Sequence, residues 1–266
     1  MSWNCILERV AETRSTNDDL LARWRVGALI EPVARIAYKQ TAGKGRAGRV
    51  WLANPKDTIC FSLAYPFKQR PAELSGLSLV IGLAVIAGLA TALNLSEADL
   101  YAQGLRLKWP NDLLLNNAKL GGILIEGGQA NSSTPTWMII GVGINLQNPQ
   151  AIEKSLNHEV NLKVSALDQL ISDQTALPDI DCVWLELIES FKKHLTDFAL
   201  HGFSHFQHAW ERWDAFQGQL VCVSGGGKES IFGISEGVDQ SGALIIRQDE
   251  KMITVHAGDV SLRTQS

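Results

Sequence analysis

Residues 43 to 51 are Gly43-Lys44-Gly45-Arg46-Ala47-Gly48-Arg49-Val50-Trp51, with three glycines and three cations in the first seven positions. Glycine lets the backbone approach a ligand closely and adopt positive φ, and guanidinium groups match phosphate oxygens in pairs. The stretch therefore predicts a phosphate-binding loop. It is not a Walker loop, because no Gly-Lys pair is followed by Ser or Thr in the required frame. Taken alone, a basic surface loop is the alternative interpretation.

The overall composition is that of an ordinary globular protein. The 266 residues carry 24 basic and 28 acidic side chains, giving a formal net charge of −4, and 45% of them are hydrophobic. This balance gives no general attraction to nucleic acid or anionic lipid. Any affinity for anions must therefore come from a local cluster such as residues 43–51.

The cysteines and the first residues of the chain favour the cytoplasm. The four cysteines are far apart in sequence and form neither a CxxC pair nor a zinc-binding spacing, so we expect reduced thiols. The chain begins without a basic start, an apolar stretch or a small-residue cleavage site. We predict a cytoplasmic protein that is not secreted.

One segment, residues 74–96, has no charged residue and is long enough to be considered as a membrane span. Glycine, serine, threonine and asparagine dilute its apolar content, and no second such segment occurs. The sequence therefore favours a buried helix. Ala84, Gly88 and Ala92 recur at four-residue spacing, and this stripe predicts close packing against a sheet.

Alternating and apolar patterns predict the other elements. A short helix should begin at Ser15, whose side chain can accept from the first helical turn. The pair Asn116-Asn117 tolerates left-handed geometry and predicts a hairpin. A longer helix should contain Val183 and Leu195. The predicted strands are residues 34–38, 58–65, 105–109, 113–115, 120–126, 136–146, 220–224, 230–235, 243–247 and 252–256.

Several short motifs follow residues 43–51 in the chain. They are Lys108-Trp109-Pro110-Asn111-Asp112, Lys119-Leu120-Gly121-Gly122-Ile123-Leu124-Ile125-Glu126 and Gly141-Val142-Gly143-Ile144-Asn145. Together with Ser15-Thr16-Asn17 they resemble the biotin–protein ligase family, in family order from Ser15 to Asn145. The final fifty residues also resemble that family's small C-terminal domain.

The resemblance implies a fold of the α+β class. It implies a mixed β-sheet covered by helices, similar to class II synthetases, and a small C-terminal SH3-like β-barrel. Residues 1–216 would form the catalytic domain that binds biotin and ATP, and residues 217–266 the C-terminal domain. Only fourteen residues precede Ser15, too few for the winged helix-turn-helix of bifunctional relatives. We expect a monofunctional ligase without sequence-specific DNA binding, as a monomer or a homodimer.

The resemblance also implies a reaction in two steps. Biotin and ATP with Mg²⁺ give biotinyl-5'-AMP and pyrophosphate. A specific lysine of the biotin carboxyl carrier protein of acetyl-CoA carboxylase then takes the biotinyl group. Lipoate–protein ligase, which uses a similar adenylation scheme, and a non-catalytic sensor of biotin or its adenylate are the alternatives.

Carried over by position, three groups of residues form the expected site. Those expected to bind biotin are Ser15, Thr16, Asn17, Gln40, Lys44, Gly45, Arg46 and Lys119. Those expected to bind ATP or the adenylate are Arg49, Trp51, Asn111, Lys119 and Asn145. Those expected to be catalytic are Lys119, Arg46 and Asp112.

The chemistry of these roles is consistent with the residue types. When a carboxylate attacks an α-phosphate, two anions must approach, and cations such as Arg46, Arg49 and Lys119 reduce their repulsion. In the second step an acceptor lysine must lose a proton. Asp112 is the candidate to accept from that ammonium, and holding Mg²⁺ is its alternative role. We predict no resident metal; a metal site at His201, His205 and His208 is a weak alternative.

The sequence departs from the family pattern at two loop positions. Lys44 stands where most members have arginine, and Ala47 where a further arginine is common. Lysine keeps the charge but lacks the planar guanidinium fork. We therefore expect looser retention of the adenylate. We also expect residues 41–50 to be mobile without ligand and to become ordered over biotinyl-AMP.

Overall fold

The computed structural model describes residues 4–155, 163–171, 176–225, 228–257 and 260–264. These residues form a seven-stranded sheet with helices and a separate five-stranded sheet near the C-terminus. The expected mixed sheet, its covering helices and the small C-terminal β-structure are confirmed. The domain boundary after residue 216 stays a prediction.

The larger sheet is mixed. Its strands are β1 (Ile6–Val10), β2 (Val33–Ala37), β3 (Thr58–Phe67), β4 (Leu105–Lys108), β5 (Asp112–Leu115), β6 (Ala118–Gln129) and β7 (Thr136–Asn145). Their spatial order is β1-β2-β3-β7-β6-β5-β4. β1 and β2 run parallel, and every other neighbouring pair is antiparallel. The predicted hairpin between β5 and β6 is present, with φ of 50° at Asn116 and 62° at Asn117.

Helices cover both faces of this sheet. In the described residues they are α1 (Thr16–Arg25), α2 (Leu77–Leu93), α3 (Glu97–Ala102), α4 (Pro149–Ser155), α5 (Ile180–His201) and α6 (Gln207–Glu211). The Ser15 side chain caps α1 by accepting from the Asp18 amide at 3.4 Å. No helix in the described ranges combines the length and apolar character that crossing a bilayer requires.

Alternation along β7 separates the two faces. Trp137 and Ile139 pack with the apolar residues of α1 in a small cluster. Ile140, Val142 and Ile144 point the other way, into the main core that includes α2 and α5. On the face that α1 covers, apolar side chains fill only the small cluster around α1. The functional residues lie on the rest of this face.

The small-residue stripe of α2 packs against another helix, which corrects the expectation of packing against a sheet. A Cβ at Gly88 would lie 3.0 Å from the Leu187 Cα atom and 3.2 Å from the Glu186 carbonyl oxygen, both in α5. The Ser190 hydroxyl of α5 donates to the Ala84 carbonyl oxygen at 2.7 Å. Small residues are needed here because two helix backbones approach closely.

The C-terminal sheet is antiparallel throughout and packs against the larger sheet. Its strands are β8 (Leu220–Gly225), β9 (Lys228–Val238), β10 (Leu244–Gln248), β11 (Lys251–Val255) and β12 (Val260–Thr264), in the order β11-β10-β9-β8-β12. The buried Trp109 donates its indole N–H to the Gly242 carbonyl oxygen at 3.0 Å. Ser75 donates to the Ser241 carbonyl oxygen at 2.7 Å. These bonds join the turn between β9 and β10 to the residue after β4 and to the segment before α2.

Two glycines of α2 provide a test of this packing. Replacing either by alanine should favour the helix by about 1 kcal/mol. At Gly88 the new methyl group meets α5 backbone, so Gly88→Ala should lower the free energy of unfolding by about 1–3 kcal/mol. At Gly82 it meets only the terminal methyl groups of Leu107, at 3.0 and 3.2 Å, which can shift. Denaturant titration of both variants should show the loss at Gly88 alone; equal effects would contradict the close helix contact.

Candidate active site

A cavity of about 690 Å³ opens on the face of the sheet that α1 leaves uncovered. Its floor includes Gly141 and Gly143, which follow Trp137 and Ile139 on the same face of β7. A Cβ at Gly141 would overlap the Asn17 side chain, and one at Gly143 would overlap the Trp51 indole. Glycine is therefore required at both positions, because two functional side chains pack against bare backbone.

The structure brings all of the predicted site residues to this one cavity. They are Ser15, Thr16, Asn17, Gln40, Lys44, Gly45, Arg46, Arg49, Trp51, Asn111, Asp112, Lys119 and Asn145. They come from the start of α1, the connection between β2 and β3, the turn after β4, and strands β5, β6 and β7. Their individual roles stay predictions.

A buried polar network lies where α1 begins. The Thr16 backbone N–H donates to Gln40 Oε1 at 2.8 Å, and the Ser62 hydroxyl donates to Asn17 Oδ1 at 2.5 Å. The Thr16 and Ser62 hydroxyl oxygens are 2.7 Å apart. Glu126 accepts from Asn17 Nδ2 at 3.0 Å. The network offers fixed donors and acceptors to a small polar ligand group.

The glycine- and cation-rich loop covers part of the cavity. Arg46 Nη1 donates to Asn111 Oδ1 at 2.9 Å, which connects the loop to the turn after β4. The Lys44 ammonium forms an ion pair of 2.7 Å with Asp18, in the first turn of α1. Ala47 has a φ of 54°, in the left-handed region, so the loop turns sharply at this residue. The loop is thus connected to both sides of the cavity.

Asp112 lies between two lysines at the other side of the cavity. Its Oδ1 is 2.6 Å from the Lys119 ammonium and its Oδ2 is 3.7 Å from that of Lys108. Burial raises the pKa of the Asp112 carboxyl, but the two ammonium groups outweigh burial and hold that pKa below its usual value. Burial lowers the pKa of Lys108, and Asp112 partly opposes this effect. The ionised carboxylate therefore keeps two cations close together.

The backbone of Lys119 is fixed by a neighbouring segment. Its N–H donates to the Lys163 carbonyl oxygen at 2.8 Å, and its carbonyl oxygen accepts from the Ser165 N–H at 3.0 Å. The Asn145 amide donates both to the Lys119 carbonyl oxygen, at 3.2 Å, and to that of Ser165, at 3.0 Å. Asn145 therefore helps to position the strand that carries Lys119.

The charge of the cavity is strongly positive although the whole chain is acidic. Among the described residues that line it, one carboxylate, that of Asp112, faces six cationic side chains. These are Lys44, Arg46, Arg49, Lys108, Lys119 and Arg263. Such an excess at a concave site attracts anions with several charges, as phosphates have. The arrangement can bring two anionic groups together.

Sequence reasoning missed four contributors to this site. Lys108 belongs to the motif that ends at Asp112, but no role was predicted for it. Arg263 reaches the cavity from β12, a strand that the patterns did not predict. Ser62 belongs to an apolar strand and carried no signal of its own. Glu126 was noticed only as the last residue of a motif. Within the described ranges no three His, Cys, Asp or Glu side chains are grouped as a metal site requires, so the alternative at His201, His205 and His208 gains no support.

Comparisons with known proteins agree with this geometry. Residues 10–145 match the Biotin/lipoate A/B protein ligase family, and residues 218–263 match the Biotin protein ligase C terminal domain. The bifunctional ligase/repressor BirA of Escherichia coli is 34% identical over 251 residues, which are 94% of this chain and 72% of that protein. The biotin–acetyl-CoA-carboxylase ligase of Mycobacterium tuberculosis is 32% identical, over 96% of this chain and 88% of the relative.

A solved structure shows similarity over nearly the whole length. The biotin protein ligase of Aquifex aeolicus, in complex with biotin and ATP, matches with a TM-score of 0.76 and 26% sequence identity. The match covers 98% of this chain and 99% of that chain. The likeness therefore includes both the larger sheet and the C-terminal sheet.

The ion pair between Lys44 and Asp18 predicts the behaviour of the loop. Both side chains are partly exposed, and such pairs contribute about 0.2–1 kcal/mol. Asp18→Asn should therefore speed amide hydrogen exchange in residues 43–50 by about 1.4- to 5-fold, and added salt should reduce the difference.

Glu12→Gln is the matched control, because it removes the carboxylate of another exposed lysine pair, with Lys39, away from the loop tip. It should leave exchange in residues 43–50 unchanged. The same protection in Asp18→Asn as in the wild type would show that the pair does not restrain the loop.

Proposed function

This chain belongs to the biotin/lipoate A/B protein ligase family, and we propose that it is a biotin–acetyl-CoA-carboxylase ligase. It activates biotin with ATP and transfers the biotinyl group to a lysine of the biotin carboxyl carrier protein domain. One observation carries the proposal. The same cavity is lined by two groups of side chains. One is a polar network that suits a small polar ring, and the other is a group of six cations with one carboxylate. Such a site can hold an uncharged head group at one end and anions at the other.

In the first step a biotin carboxylate oxygen forms a bond to the α-phosphorus of ATP. The bond from that phosphorus to the oxygen bridging to the β-phosphate breaks, and pyrophosphate leaves with the electron pair. Arg46, Arg49 and Lys119 are placed to reduce the repulsion between the two reacting anions and to stabilise the charge that moves onto pyrophosphate. Holding these cations in a preformed cavity avoids their reorganisation during the reaction.

MgATP enters as a substrate, with the metal on its phosphates. Mg²⁺ is usually held by one or two carboxylates together with substrate phosphates. Asp112 is the carboxylate among the described lining residues, and its Oδ2, 3.7 Å from Lys108, is the less tightly paired oxygen. Asp112 would hold Mg²⁺ together with the phosphates of ATP, and this is one of two roles that we propose for Asp112.

In the second step the ammonium of the acceptor lysine loses a proton to water, and the neutral amine attacks the acyl carbon of biotinyl-AMP. The bond from that carbon to the phosphate oxygen breaks, AMP leaves with the electron pair, and the second proton of the new amide nitrogen is lost to water. A free lysine has a pKa of about 10.4, so at pH 7 its deprotonation costs roughly 4.6 kcal/mol. The second proposed role of Asp112 is to accept a hydrogen bond from the incoming ammonium and to orient it. Its two lysine neighbours keep it ionised and able to accept.

Lipoate is the rival substrate, since the family includes lipoate ligases. The match of residues 218–263 to a domain of biotin protein ligases favours biotin. Incubation with ATP and either acid, while pyrophosphate is measured, separates the two, because the true substrate alone should support rapid release. A sensor would bind the adenylate tightly and fail to label a carrier domain.

The cell context follows from the same reaction. We infer a cytoplasmic enzyme whose partners are biotin, ATP and the carrier domain, acting as a monomer or a homodimer. We also expect no sequence-specific DNA binding. Specific operator binding at physiological salt would contradict that expectation while leaving the ligase proposal intact.

Loss of Lys119 should impair the first step strongly. Removing one preorganised charge donor costs roughly 10²- to 10³-fold in rate. Lys119→Met should therefore reduce biotin-dependent pyrophosphate release by that factor, with thermal unfolding monitored to exclude loss of the fold. Lys192→Met, which removes an exposed ammonium on α5, should keep wild-type activity. Similar rates for Lys119→Met and the wild type would remove Lys119 from the mechanism.

The most direct test of the proposed function is mass spectrometry of an acceptor. A biotin carrier domain incubated with the protein, biotin and MgATP should gain one biotinyl group on its acceptor lysine. Omission of ATP should abolish the gain. A domain that stays unmodified with all components present, together with lipoate-dependent release of pyrophosphate from ATP, would show that lipoate and not biotin is the substrate.

A further inference from the structure

We propose that Glu126 is a positioning residue that sets the donor and acceptor directions of the hydrogen bonds which hold the ureido ring of biotin. This inference rests on the proposed function and extends it to a residue outside the described lining of the cavity. Glu126 lies on β6, opposite Ile139 of β7, one row beyond the glycine floor.

The first step of the argument is the contact between Glu126 and Asn17. Glu126 Oε2 and Asn17 Nδ2 are 3.0 Å apart, and Asn17 is buried with only 4% of its surface exposed. An ionised carboxylate has acceptors and no donor, so the amide must turn its NH₂ group toward Glu126. The Asn17 carbonyl oxygen then faces Ser62. The two ends of an amide have similar shapes, and Glu126 is what distinguishes them.

This direction is transmitted through Ser62 to Thr16. The Ser62 hydroxyl must donate its single proton to Asn17 Oδ1, 2.5 Å away. Ser62 can then only accept from the Thr16 hydroxyl, whose oxygen is 2.7 Å distant. The Thr16 hydroxyl also has Gln40 Oε1 as an acceptor, at 3.2 Å, but in this state it donates to the closer Ser62 oxygen and retains its lone pairs. The Thr16 backbone N–H donates to the side-chain oxygen Oε1 of Gln40. The side-chain NH₂ group of Gln40 can then donate to a ligand.

The resulting pattern is complementary to a cyclic urea. The ureido ring has one carbonyl acceptor and two N–H donors. With Glu126 in place, Thr16 presents an acceptor to the ligand, while Gln40 and the second N–H of Asn17 present donors. If Asn17 were reversed, Ser62 would donate to Thr16 instead, and the Thr16 hydroxyl would donate to Gln40 Oε1. Asn17 would then turn its carbonyl oxygen, an acceptor, toward the carbonyl acceptor of the ligand. A buried polar group left unpaired in this way costs about 1–3 kcal/mol.

The surroundings of Glu126 support a positioning role over a structural ion pair. Among the described residues no cation lies within ion-pair distance of Glu126, and its hydrogen-bond partner is Asn17. A half-buried carboxylate without a cation contributes little to stability. The contact with Asn17 is therefore the interaction through which the Glu126 carboxylate acts.

The test compares two substitutions of nearly the same size. Glu126→Met has no acceptor and allows Asn17 to reverse, whereas Glu126→Gln keeps an amide oxygen that can accept from Asn17. We expect the Kd for biotin, measured by calorimetry, to rise about tenfold in Glu126→Met and to stay within about threefold in Glu126→Gln. The KM for ATP and kcat at saturating biotin should change by less than about threefold in both variants.

The ratio of the Kd values for two related ligands provides a measurement that a general structural defect would leave unchanged. Iminobiotin, which replaces the ureido carbonyl by an imine, should be discriminated less strongly from biotin by Glu126→Met than by the wild type. Desthiobiotin keeps the ureido ring, so its affinity relative to biotin should be the same in all variants. The Kd ratios therefore report on hydrogen-bond direction.

The possible results separate this inference from the proposed function. Wild-type protein that does not bind biotin would overturn the proposed function. Wild-type binding with unchanged affinity in Glu126→Met would overturn the role of Glu126. A uniform loss of affinity for all three ligands, with a lowered Tm and constant ratios, would show a structural role and would also overturn it.

Discussion

Repulsion among the cations that line one cavity is the constraint on which the organisation of this site depends. The chain as a whole is acidic, so the cluster has to be assembled by the fold. Asp112 holds Lys108 and Lys119, and Arg46 donates to the Asn111 amide oxygen. Asp112 can offset only part of the positive charge. Anionic substrates complete the charge balance, and this difference between the empty and the filled site favours their binding.

The sheet and α1 together form the cavity in which these cations lie. α1 covers one half of a face, and the glycines of β7 leave the other half bare, so the cavity forms next to the first turn of α1. The polar network then lies at the helix end, and the cations lie at the far end of β6 and on the loop. The two ends of biotin, an uncharged ring and a carboxylate, differ in the same way. The site thus orients its ligand by separating the polar network at the start of α1 from the cation-rich end.

Local sequence patterns predicted those parts of the fold that depend on neighbouring residues. The hairpin at Asn116-Asn117, the start of α1 at Ser15 and the buried helix α2 each follow from a few adjacent side chains. β1 and β12 were missed. β1 has the sequence Ile-Leu-Glu-Arg-Val, without alternation, whereas β12 alternates apolar and polar residues over only five positions. The stripe of α2 was assigned to the wrong partner, because small residues indicate a close approach without indicating what approaches. That partner, α5, lies about a hundred residues away in sequence.

The site shows the same division between local and distant information. The site residues that belong to motifs could be predicted, because each motif is recognisable by itself, and the structure brings them to one cavity. Arg263 and Ser62 contribute through the sheet neighbours that the fold gives them, and no spacing in the sequence encodes that placement. Glu126 is a still clearer case, because its partner Asn17 is 109 residues distant. A motif can indicate that a hydrogen-bonding residue is present; the direction of the hydrogen bond depends on which group the folded chain places beside it.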